Sequence, residues 1–324
     1  MSPRFDVTIA GELNLDLILY GLPVELSPET EILADDMLLT LGSSSAIVAH
    51  NLASLGSKVG FQSLIGEDDL GRIALARLAQ SGVDTSRVRA TQSVGTGLSV
   101  ILQRDGWRNI LTYSGAISGL GIDDLNLDYL RESRHFHLSS YYLQSSLRPD
   151  VPELFRRLKA AGLTISLDTN DDPEGRFADD LYQVLDLVDI FLPNHREACK
   201  IAGTGDLEMA VRKLSAIVPL LVVKTGAQGA IAIRGSERIE SAALDVQVVD
   251  PVGAGDSFDA GFLHAYLTGQ SLSNCMVAGN ASGALCATRG GGTEAFSDRE
   301  YRETFMARHA PFLKSMRDWP PLRR

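Results

Sequence analysis

The sequence predicts an α/β fold, built on a mostly parallel central sheet with helices on both faces. From Pro149 onwards, segments with helical hydrophobic periodicity alternate with short runs rich in β-branched residues. In chain order, these segments are a helix at 151–161, a strand at 163–167, a helix at about 177–187, a strand at 188–192, a helix at about 207–217 and a strand at 220–224. Alternation of this kind is typical of βαβ units, whose strands are parallel.

Length and composition are those of a folded protein with a large core. The chain has 324 residues, of which 44% are hydrophobic and 22% are charged, as in ordinary globular proteins. Its net charge of -11 argues against a general basic surface, so we expect no nucleic-acid partner. The same charge would repel an anionic nucleotide. A nucleotide site must therefore be built locally, from loops, helix ends and a metal ion.

The cysteines and the N-terminal segment predict a cytoplasmic location. The chain has 3 cysteines without C-x-x-C spacing, which argues against a disulfide framework and fits a reducing compartment. Acidic and amide side chains interrupt the apolar residues near the N-terminus, unlike those of a secretion signal. No segment is long and apolar enough to cross a bilayer, so we expect no membrane partner.

An amide and a carboxylate follow the first predicted strand, Phe5–Ala10. Asn14 and Asp16 are two positions apart, which places them on one face of an extended chain. Both groups suit the hydroxyls of a sugar, although polar residues at a strand end are the simpler interpretation. The following segment, 17–40, mixes short β-like pieces with prolines and acids and shows no helical pattern.

A serine-rich turn precedes the first predicted helix, which ends near Leu55. The turn is Gly42-Ser43-Ser44-Ser45. Serine side chains in this position commonly cap the first N–H groups of a helix.

A hairpin is predicted farther along the chain. Two strand-like runs, 96–104 and 107–113, flank Asp105-Gly106, a dipeptide that favours a tight hairpin turn. Arg108 lies beside this turn. It is either an ordinary exposed charge or a contact for a carboxylate or phosphate group.

Polar residues occur where several strands of the second half end. They are Asp168, Asn194, Lys224 and Asp250. Ligands of open parallel sheets bind beyond the carboxyl ends of the strands. Four polar groups at equivalent positions therefore predict one site at this edge more strongly than any one of them alone.

The most informative stretch is 248–263. Its pattern predicts a strand ending at Val248-Val249, a glycine-rich loop and then a helix. The first N–H groups of a helix lack partners and, with the helix dipole, bind anions such as phosphate. Asp256 lies at the mouth of this site, where a carboxylate could accept a proton from an attacking hydroxyl. We therefore predict phosphoryl transfer to an alcohol. Alternatively, Asp256 is only an N-cap.

The motif Asp250-Pro-Val-Gly-Ala-Gly-Asp256-Ser-Phe-Asp-Ala-Gly261 resembles the C-terminal signature of the ribokinase-like (PfkB) carbohydrate kinases. The resemblance covers about Val7 to Thr293. It implies a ribokinase-like three-layer fold, in one domain spanning 1–324, with a small β-lid formed by about 12–41 and 94–114. It also implies ATP-dependent phosphorylation of a sugar or sugar-like hydroxyl, with Asp256 as the base. The anion hole would consist of the amides of Gly253, Ala254, Gly255 and Asp256.

The same resemblance implies a set of substrate-binding residues. They are Asn14, Asp16, Gly42, Ser43, Ser44, Arg108 and Asp168. Two departures occur in the loop that grips the sugar. Ser43 replaces a second glycine, and Ile47 replaces an asparagine that many members carry. Both argue for a less polar or differently shaped substrate edge than that of ribose.

The resemblance further implies sites for ATP, Mg²⁺ and a monovalent cation such as K⁺. The nucleotide-binding residues would be Asn194, Lys224, Gly226, Gly229 and Asn280. Glu197 would help to organise Mg²⁺ through water, and carbonyls near Asp250 and Val252 would hold the monovalent cation. Asn280 is about equally well explained by helix packing, and Glu197 by a first-turn position in a helix.

Two other functions are compatible with these residues. One is a nucleoside kinase of the same fold, and the other is a non-catalytic sugar-sensing protein on a kinase fold. The intact Gly-Ala-Gly-Asp loop, 253–256, speaks against the sensor, which needs no base at a phosphate. We expect a small sugar or nucleoside as the partner. An exposed edge of the β-lid could also pair two subunits into a homodimer.

Overall fold

A large sheet forms the centre of the molecule. The structure is a computed structural model that describes residues 3–104, 107–177 and 180–313. The strands in these ranges are β1 (Phe5–Ala10), β2 (Leu15–Tyr20), β3 (Asp36–Leu41), β4 (Val59–Gly66), β5 (Asp84–Thr91), β6 (Leu98–Arg104), β7 (Trp107–Tyr113), β8 (Ser133–Leu138), β9 (Thr164–Leu167), β10 (Ile190–Phe191), β11 (Leu220–Lys224), β12 (Ala230–Arg234) and β13 (Glu237–Ser241). The large sheet has the order β13-β12-β11-β10-β9-β8-β1-β4-β5. Neighbouring strands are parallel from β11 to β5, whereas β12 and β13 are added antiparallel.

Helices cover this sheet. Those in the described ranges are α1 (Ser44–Ser54), α2 (Asp69–Gln80), α3 (Leu127–Leu130), α4 (Val151–Ala160), α5 (Asp180–Leu185), α6 (His195–Ile201), α7 (Leu207–Ser215), α8 (Ala254–Leu267), α9 (Leu272–Ala287), α10 (Glu294–Ser297) and α11 (Arg299–His309). None of them is long and apolar enough to cross a bilayer.

Both faces of the large sheet are buried. Successive residues of β11 point to opposite faces, so that Val222 belongs to one apolar cluster and Val223 to the other. Helices α4 to α7 pack in the cluster that contains Val223, and helices α1, α2, α8 and α9 pack in the cluster that contains Val222. This burial explains why β11 is continuously hydrophobic up to Lys224. The predicted α/β fold, with a mostly parallel sheet and helices on both faces, is confirmed.

A second, four-stranded sheet has the order β3-β2-β6-β7. Strands β6 and β7 form the predicted antiparallel hairpin, with Arg104 opposite Trp107, and its turn residues Asp105-Gly106 lie outside the described ranges. Strand β7 is an edge strand that exposes Ile110, Leu111 and Tyr113. That this small sheet acts as a lid, and that its edge pairs two copies, stay predictions.

Some elements differ from the sequence pattern. The predicted strand end at Val248-Val249 is wrong: both residues are more than half exposed and lie outside any strand. Their β-branched side chains favour strands only where a pleated surface can pack on them. Strand β5 was not predicted because it is half exposed and rich in polar residues. The antiparallel strands β12 and β13 were missed as well.

Helices α8 and α9 pack closely at Gly261. A Cβ atom at this position would lie 2.2 Å from Ser282 Oγ and 2.5 Å from the carbonyl oxygen of Ala278. We therefore expect Gly261→Ala to reduce the free energy of unfolding by about 1–3 kcal/mol, as overpacking does. Urea denaturation measures this loss. Gly205→Ala is the matched control, because no atom lies within 4 Å of its added Cβ. Its effect should stay within about 0.5 kcal/mol. Equal stability of the two variants would contradict the prediction.

Candidate active site

The first turn of α8 presents backbone N–H groups beside several acidic side chains. Gly253 precedes the helix with a φ of 75°, a conformation that favours glycine. Among the described residues, no acceptor bonds the N–H groups of Gly253, Gly255 or Asp256. The N–H of Ala254 instead donates to the carbonyl oxygen of Pro251 at 3.2 Å. Three of the four amides expected in an anion hole are therefore available to a ligand.

The carboxyl of Asp256 lies in this turn and is 8% exposed. It accepts a hydrogen bond from Asn170 Nδ2 at 3.4 Å and another from the Ser44 hydroxyl. Burial, followed by the charge of Asp168, raises the pKa of Asp256 to about 6, and Lys224 opposes this rise. A carboxylate with this pKa is mostly ionised near neutral pH and remains able to accept a proton.

Lys224 places an ammonium group beneath the same turn. Its Nζ lies 2.6 Å from Asp168 Oδ2 and 3.1 Å from each carboxyl oxygen of Asp259. A Cβ added to Gly255 would lie 3.7 Å from this nitrogen. Burial lowers the pKa of Lys224, but Asp168 and Asp259 outweigh burial and keep the ammonium charged. The expected contact with a nucleotide stays a prediction, because the observed partners are carboxyls of the chain itself.

The pKa values of the two carboxyls that face Lys224 shift in opposite directions. Burial works to raise the pKa of Asp168, but the charge of Lys224 is the main cause that lowers it overall. Burial raises the pKa of Asp259 well above its usual range, against the charge of Lys224 and with that of Asp168. The single ammonium therefore favours the ionised form of Asp168, whereas burial dominates at Asp259. Asp168 is 1% exposed and binds Lys224, and its expected contact with a sugar stays a prediction.

The structure brings Asn14, Asp16 and Gly42 together. A Cβ on Gly42 would lie 2.2 Å from Asp16 Oδ1 and 2.9 Å from Asn14 Nδ2, so only glycine lets this loop pack on the two side chains. Burial, followed by the charge of Asp256, raises the pKa of Asp16 to about 7, and a hydrogen bond from Ser99 opposes the rise. The carboxyls of Asp16 and Asp256 are therefore close enough to influence each other.

The two serines after Gly42 have different partners. Ser43, with a φ of 71°, caps α1 by accepting the N–H three residues later at 3.1 Å, and its hydroxyl donates to the carbonyl oxygen of Glu12. Ser44 Oγ accepts Asn170 Nδ2 at 2.8 Å and also bonds the Asp256 carboxyl. Ser44 therefore belongs to the site, whereas Ser43 holds the turn that presents it.

Asn194 and Glu197 form a capping box at the start of α6. Each accepts the backbone N–H of the other, at 3.0 Å on Asn194 Oδ1 and 2.9 Å on Glu197 Oε2. Burial, followed by the charge of Asp168, raises the pKa of Glu197 to about 7. Among the described residues, no three acidic, histidine or cysteine side chains converge on a metal position. A role of Glu197 towards Mg²⁺ would therefore run through water, and it stays a prediction.

Asp250 ties a glycine-rich turn to the small sheet. Its carboxylate accepts Tyr20 Oη at 3.0 Å, the N–H of Val252 at 3.0 Å and the N–H of Gly291 at 3.1 Å. The carbonyl oxygen of Val252 accepts the Cys286 thiol at 3.3 Å. The expected binding of a monovalent cation by carbonyl oxygens near Asp250 and Val252 stays a prediction.

The residues expected to bind the nucleotide fall into two groups. Gly226 has a φ of 62° and open space around its Cα, which leaves room for a ligand. Gly229 lies against the 241–243 segment, since its Cβ would lie 1.9 Å from the Ser241 carbonyl oxygen. Asn280 Nδ2 donates to the carbonyl oxygens of Ser241 at 3.0 Å and Ala242 at 3.1 Å. Gly229 and Asn280 therefore hold this segment, and their contact with a nucleotide stays a prediction.

Arg108 is not brought to this cluster. It is exposed and pairs in register with Gln103 near the tip of the hairpin. The hairpin approaches the site at its other end, where Ser99 and Thr112 pair and Ser99 bonds Asp16. The four residue steps from Arg108 to Thr112 span about 14 Å of extended strand. The structure thus favours an ordinary exposed charge.

Asn170 and Asp259 were not assigned a role from the sequence. Asn170 has a φ of 52°, and its Oδ1 accepts the N–H of Ser140, itself at a φ of 53°, at 2.9 Å. Non-glycine residues in this conformation often mark functional sites, but the sequence does not reveal them. The sequence did contain a signal for Asp259. This residue is an acid three positions after Asp256, on the same face of an otherwise apolar helix.

Comparison with known proteins decides the family. Residues 4–299 match the family described as pfkB family carbohydrate kinase. The chain belongs to this family. The resemblance noted in the sequence is confirmed, and so is the activity class: the protein is a carbohydrate or nucleoside kinase, a phosphotransferase with a hydroxyl acceptor.

Individual pfkB relatives span nearly the whole chain. An ATP-dependent ribose-1-phosphate kinase of Halopiger xanaduensis is 31% identical over 89% of this chain and 94% of its own. A cytidine kinase of Thermococcus kodakarensis is 31% identical over 82% of this chain and 93% of its own. A solved E. coli protein assigned as a ribokinase II, in complex with ATP and Mg²⁺, superposes with a TM-score of 0.82 at 27% identity, over 94% of this chain and 100% of its own. The ribokinase-like fold is thereby confirmed.

Lys224→Met tests the buried ion cluster of this kinase. The substitution removes the ammonium from between Asp168 and Asp259 and leaves a buried charge unpaired. We expect the free energy of unfolding to fall by about 3–5 kcal/mol, measured by thermal or urea denaturation. Lys159→Met is the control, since Lys159 pairs with Asp189 at the surface, and it should cost less than about 1 kcal/mol. A small and equal loss in both variants would contradict the prediction.

Proposed function

We propose that this kinase transfers the γ-phosphoryl group of ATP to a hydroxyl of a sugar or sugar-like molecule, with Asp256 as the general base. One observation carries the proposal. The buried Asp256 carboxyl lies in the same helical turn as three available N–H groups. Phosphoryl transfer to an alcohol needs a proton acceptor at the attacking oxygen and hydrogen-bond donors at the phosphoryl group. This turn offers both within a few ångströms.

The surroundings of Asp256 suit a base. Ser44 and Asn170 hydrogen-bond its carboxyl and hold its orientation. Both donors favour the ionised form, which is the form that accepts a proton. The pKa of about 6 leaves Asp256 a stronger base than an exposed aspartate, and yet mostly ionised at neutral pH. Asp256 would take the proton from the acceptor hydroxyl as the new bond to phosphorus forms.

The positive charge needed by the phosphoryl group would come from two features of the chain. The N–H groups of Gly253, Gly255 and Asp256 lie at the positive end of the α8 dipole. The Lys224 ammonium lies beneath Gly255 and adds to the same potential. Its carboxyl partners hold it there, so it stabilises charge without having to rearrange during the reaction.

The acceptor would be held by Asn14 and Asp16. The two side chains offer an amide and a carboxyl on the small sheet, packed against Gly42. Because Asp16 lies near Asp256, a hydroxyl bound between these groups would be close to the base. The small sheet would act as a lid that excludes water, which limits hydrolysis of ATP.

ATP and Mg²⁺ fit the available groups in part. Gly226 leaves open space beside the first turn of α8, and Asn194 begins the helix that carries Glu197. The bound ATP and Mg²⁺ of the E. coli structure support this assignment. When bound, Mg²⁺ would neutralise charge on the phosphate oxygens. Glu197 is 4% exposed and would act on the metal through water.

Asp256→Asn tests the base. The amide keeps the shape and one acceptor oxygen but cannot accept the proton, so kcat should fall by about 10²–10⁴-fold with KM values changed little. In the wild type, kcat/KM should rise with pH through an apparent pKa near 6, because only the ionised carboxylate accepts a proton. A spectrophotometric assay of ADP release measures both quantities.

The control for this substitution is Asp69→Asn, on the exposed side of α2. The Asp69 side chain is 87% exposed, so its loss should leave kcat unchanged. Near-full turnover by Asp256→Asn would assign the base to another group. A wild-type kcat/KM that does not rise between pH 5 and pH 7 would also contradict the proposal.

A nucleoside kinase is the second candidate, favoured by the identity to a cytidine kinase. A panel of free sugars, sugar phosphates and nucleosides, assayed for ADP release, separates the two. We expect a sugar or sugar phosphate to give a kcat/KM at least about tenfold above any nucleoside, a difference of about 1.4 kcal/mol. A nucleoside as the best acceptor would replace the proposed substrate class and leave the role of Asp256 intact.

A further inference from the structure

A large cleft lies outside the site described above. Its volume is about 980 Å³. One wall is formed by the C-terminal ends of α1 and α2, the opposite wall by α10 and α11, and a third by β3. None of the groups assigned to ATP or to the acceptor lines it. Nothing in the proposed reaction therefore accounts for the cleft.

Arginine side chains give the cleft an excess of positive charge. Arg77, Arg299 and Arg302 line it together with Glu294 and Glu303. The chain as a whole carries a net charge of -11, whereas the side chains that line this cleft include three arginines and two glutamates. The ends of α1 and α2 point negative dipoles at the cleft, and an anion would need to bind mainly through the arginines.

Arg302 has unused hydrogen-bond donors. Its guanidinium donates to the carbonyl oxygen of Phe296 and forms no ion pair among the described residues. The side chain is half-buried, and burial lowers its pKa, with the charge of Glu303 opposing this shift and that of Arg299 adding to it. A guanidinium offers five N–H donors, so Arg302 keeps donors that an oxyanion could accept.

The other two arginines could turn to the same oxyanion. Arg77 approaches Glu294 no closer than 3.6 Å, which is longer than a direct hydrogen bond. Arg299 pairs with Glu303 on the surface, where its side chain is 81% exposed, and such pairs are weak. Neither pairing prevents a guanidinium from binding a ligand in the cleft.

Contacts connect the cleft with the first turn of α8. His50 and Ser297 line the cleft and lie 3.3 Å apart, between Nε2 and Oγ. His50 Nδ1 bonds Asn51 Oδ1 at 2.8 Å. Asn51 Nδ2 in turn donates to Ser257 Oγ at 2.9 Å and to the carbonyl oxygen of Gly292 at 3.0 Å. The cleft is therefore connected to the first turn of α8 through His50 and Asn51, neither of which belongs to the groups assigned to ATP or the acceptor.

We propose that this cleft is a second anion site, which binds the phosphate group of a small metabolite through Arg302, with Arg77 and Arg299 as further donors. Guanidinium groups match phosphate oxygens in pairs. The apolar Leu38, Leu39 and Phe296 in the same cleft would contact the rest of the molecule. The site is independent of the acceptor and of the base.

Inorganic phosphate is the probe in solution. Its stabilising effect on thermal unfolding is measured at constant ionic strength, with the active site saturated by a non-hydrolysable ATP analogue and Mg²⁺. We expect Arg302→Gln to weaken the phosphate-dependent shift of the midpoint, with an apparent Kd raised at least about tenfold, as for a lost charged hydrogen bond. Arg156→Gln is the matched control, because Arg156 is 58% exposed on α4. It should behave as the wild type. An equal shift in all three proteins would overturn the proposal.

Crystals of the wild type grown with tungstate provide a second measurement, which does not depend on the folding of a variant. Tungstate mimics phosphate and gives anomalous scattering. A peak between Arg302 and Arg77 supports the site, whereas peaks at the first turn of α8 alone overturn it.

Malonate tests whether the site binds a carboxylate ligand instead of a phosphate. If malonate shifts the unfolding midpoint as much as phosphate, and loses that effect in Arg302→Gln, a carboxylate ligand replaces the phosphate and the proposal is overturned as stated.

Discussion

The position of Asp256, the proposed base, depends on one ammonium held between two carboxyls. Lys224 ends β11, Asp168 follows β9, and Asp259 lies one turn after Asp256 on α8. Their ion cluster therefore joins the edge of the large sheet to the helix that carries Asp256. The cluster adds to the close packing of α8 on α9 at Gly261, because each buried charge needs its partner at hydrogen-bond distance.

The two sheets meet through apolar and polar contacts together. Leu15 and Leu41 of the small sheet belong to the apolar cluster that also contains Val222 of the large sheet, and Ile18 and Ile101 pack on Val252. Tyr20 donates to Asp250, and Thr40 donates to Glu294 at 2.8 Å. These contacts place the strand that carries Asp16 against the edge of the large sheet, next to the first turn of α8.

The sequence predicts the features that local chemistry determines. The alternation of helical periodicity with short, continuously hydrophobic runs was sufficient to predict the parallel sheet, because strands buried on both faces are continuously hydrophobic. The spacing of Asn14 and Asp16 was sufficient to place them together. The directions in which individual side chains point were harder to predict from the sequence. The inward turn of Ser43 and the left-handed conformation of Asn170 both depend on partners far along the chain, Glu12 in one case and Ser44 in the other. No local pattern encodes such pairings, so the sequence suggested a sugar contact for Ser43 and gave no role to Asn170.

The acidity of the site limits how a phosphate group can enter it. Burial is the first cause of the raised pKa of Asp16, Asp256, Asp259 and Glu197, so this cluster already sheds part of its negative charge by binding protons. A phosphate approaching alone would raise these pKa values further, because like charges oppose ionisation. Asp256 would then bind a proton from solvent and lose its capacity to accept one from a hydroxyl.

Positive charge beside the phosphate group would prevent this protonation of Asp256. The N–H groups of α8 and the ammonium of Lys224 supply part of it, and a cation that accompanies the nucleotide would supply more. The proposed anion hole and the proposed base therefore form one electrostatic unit, since Asp256 remains ionised beside a bound phosphate group only if the charge of that group is neutralised.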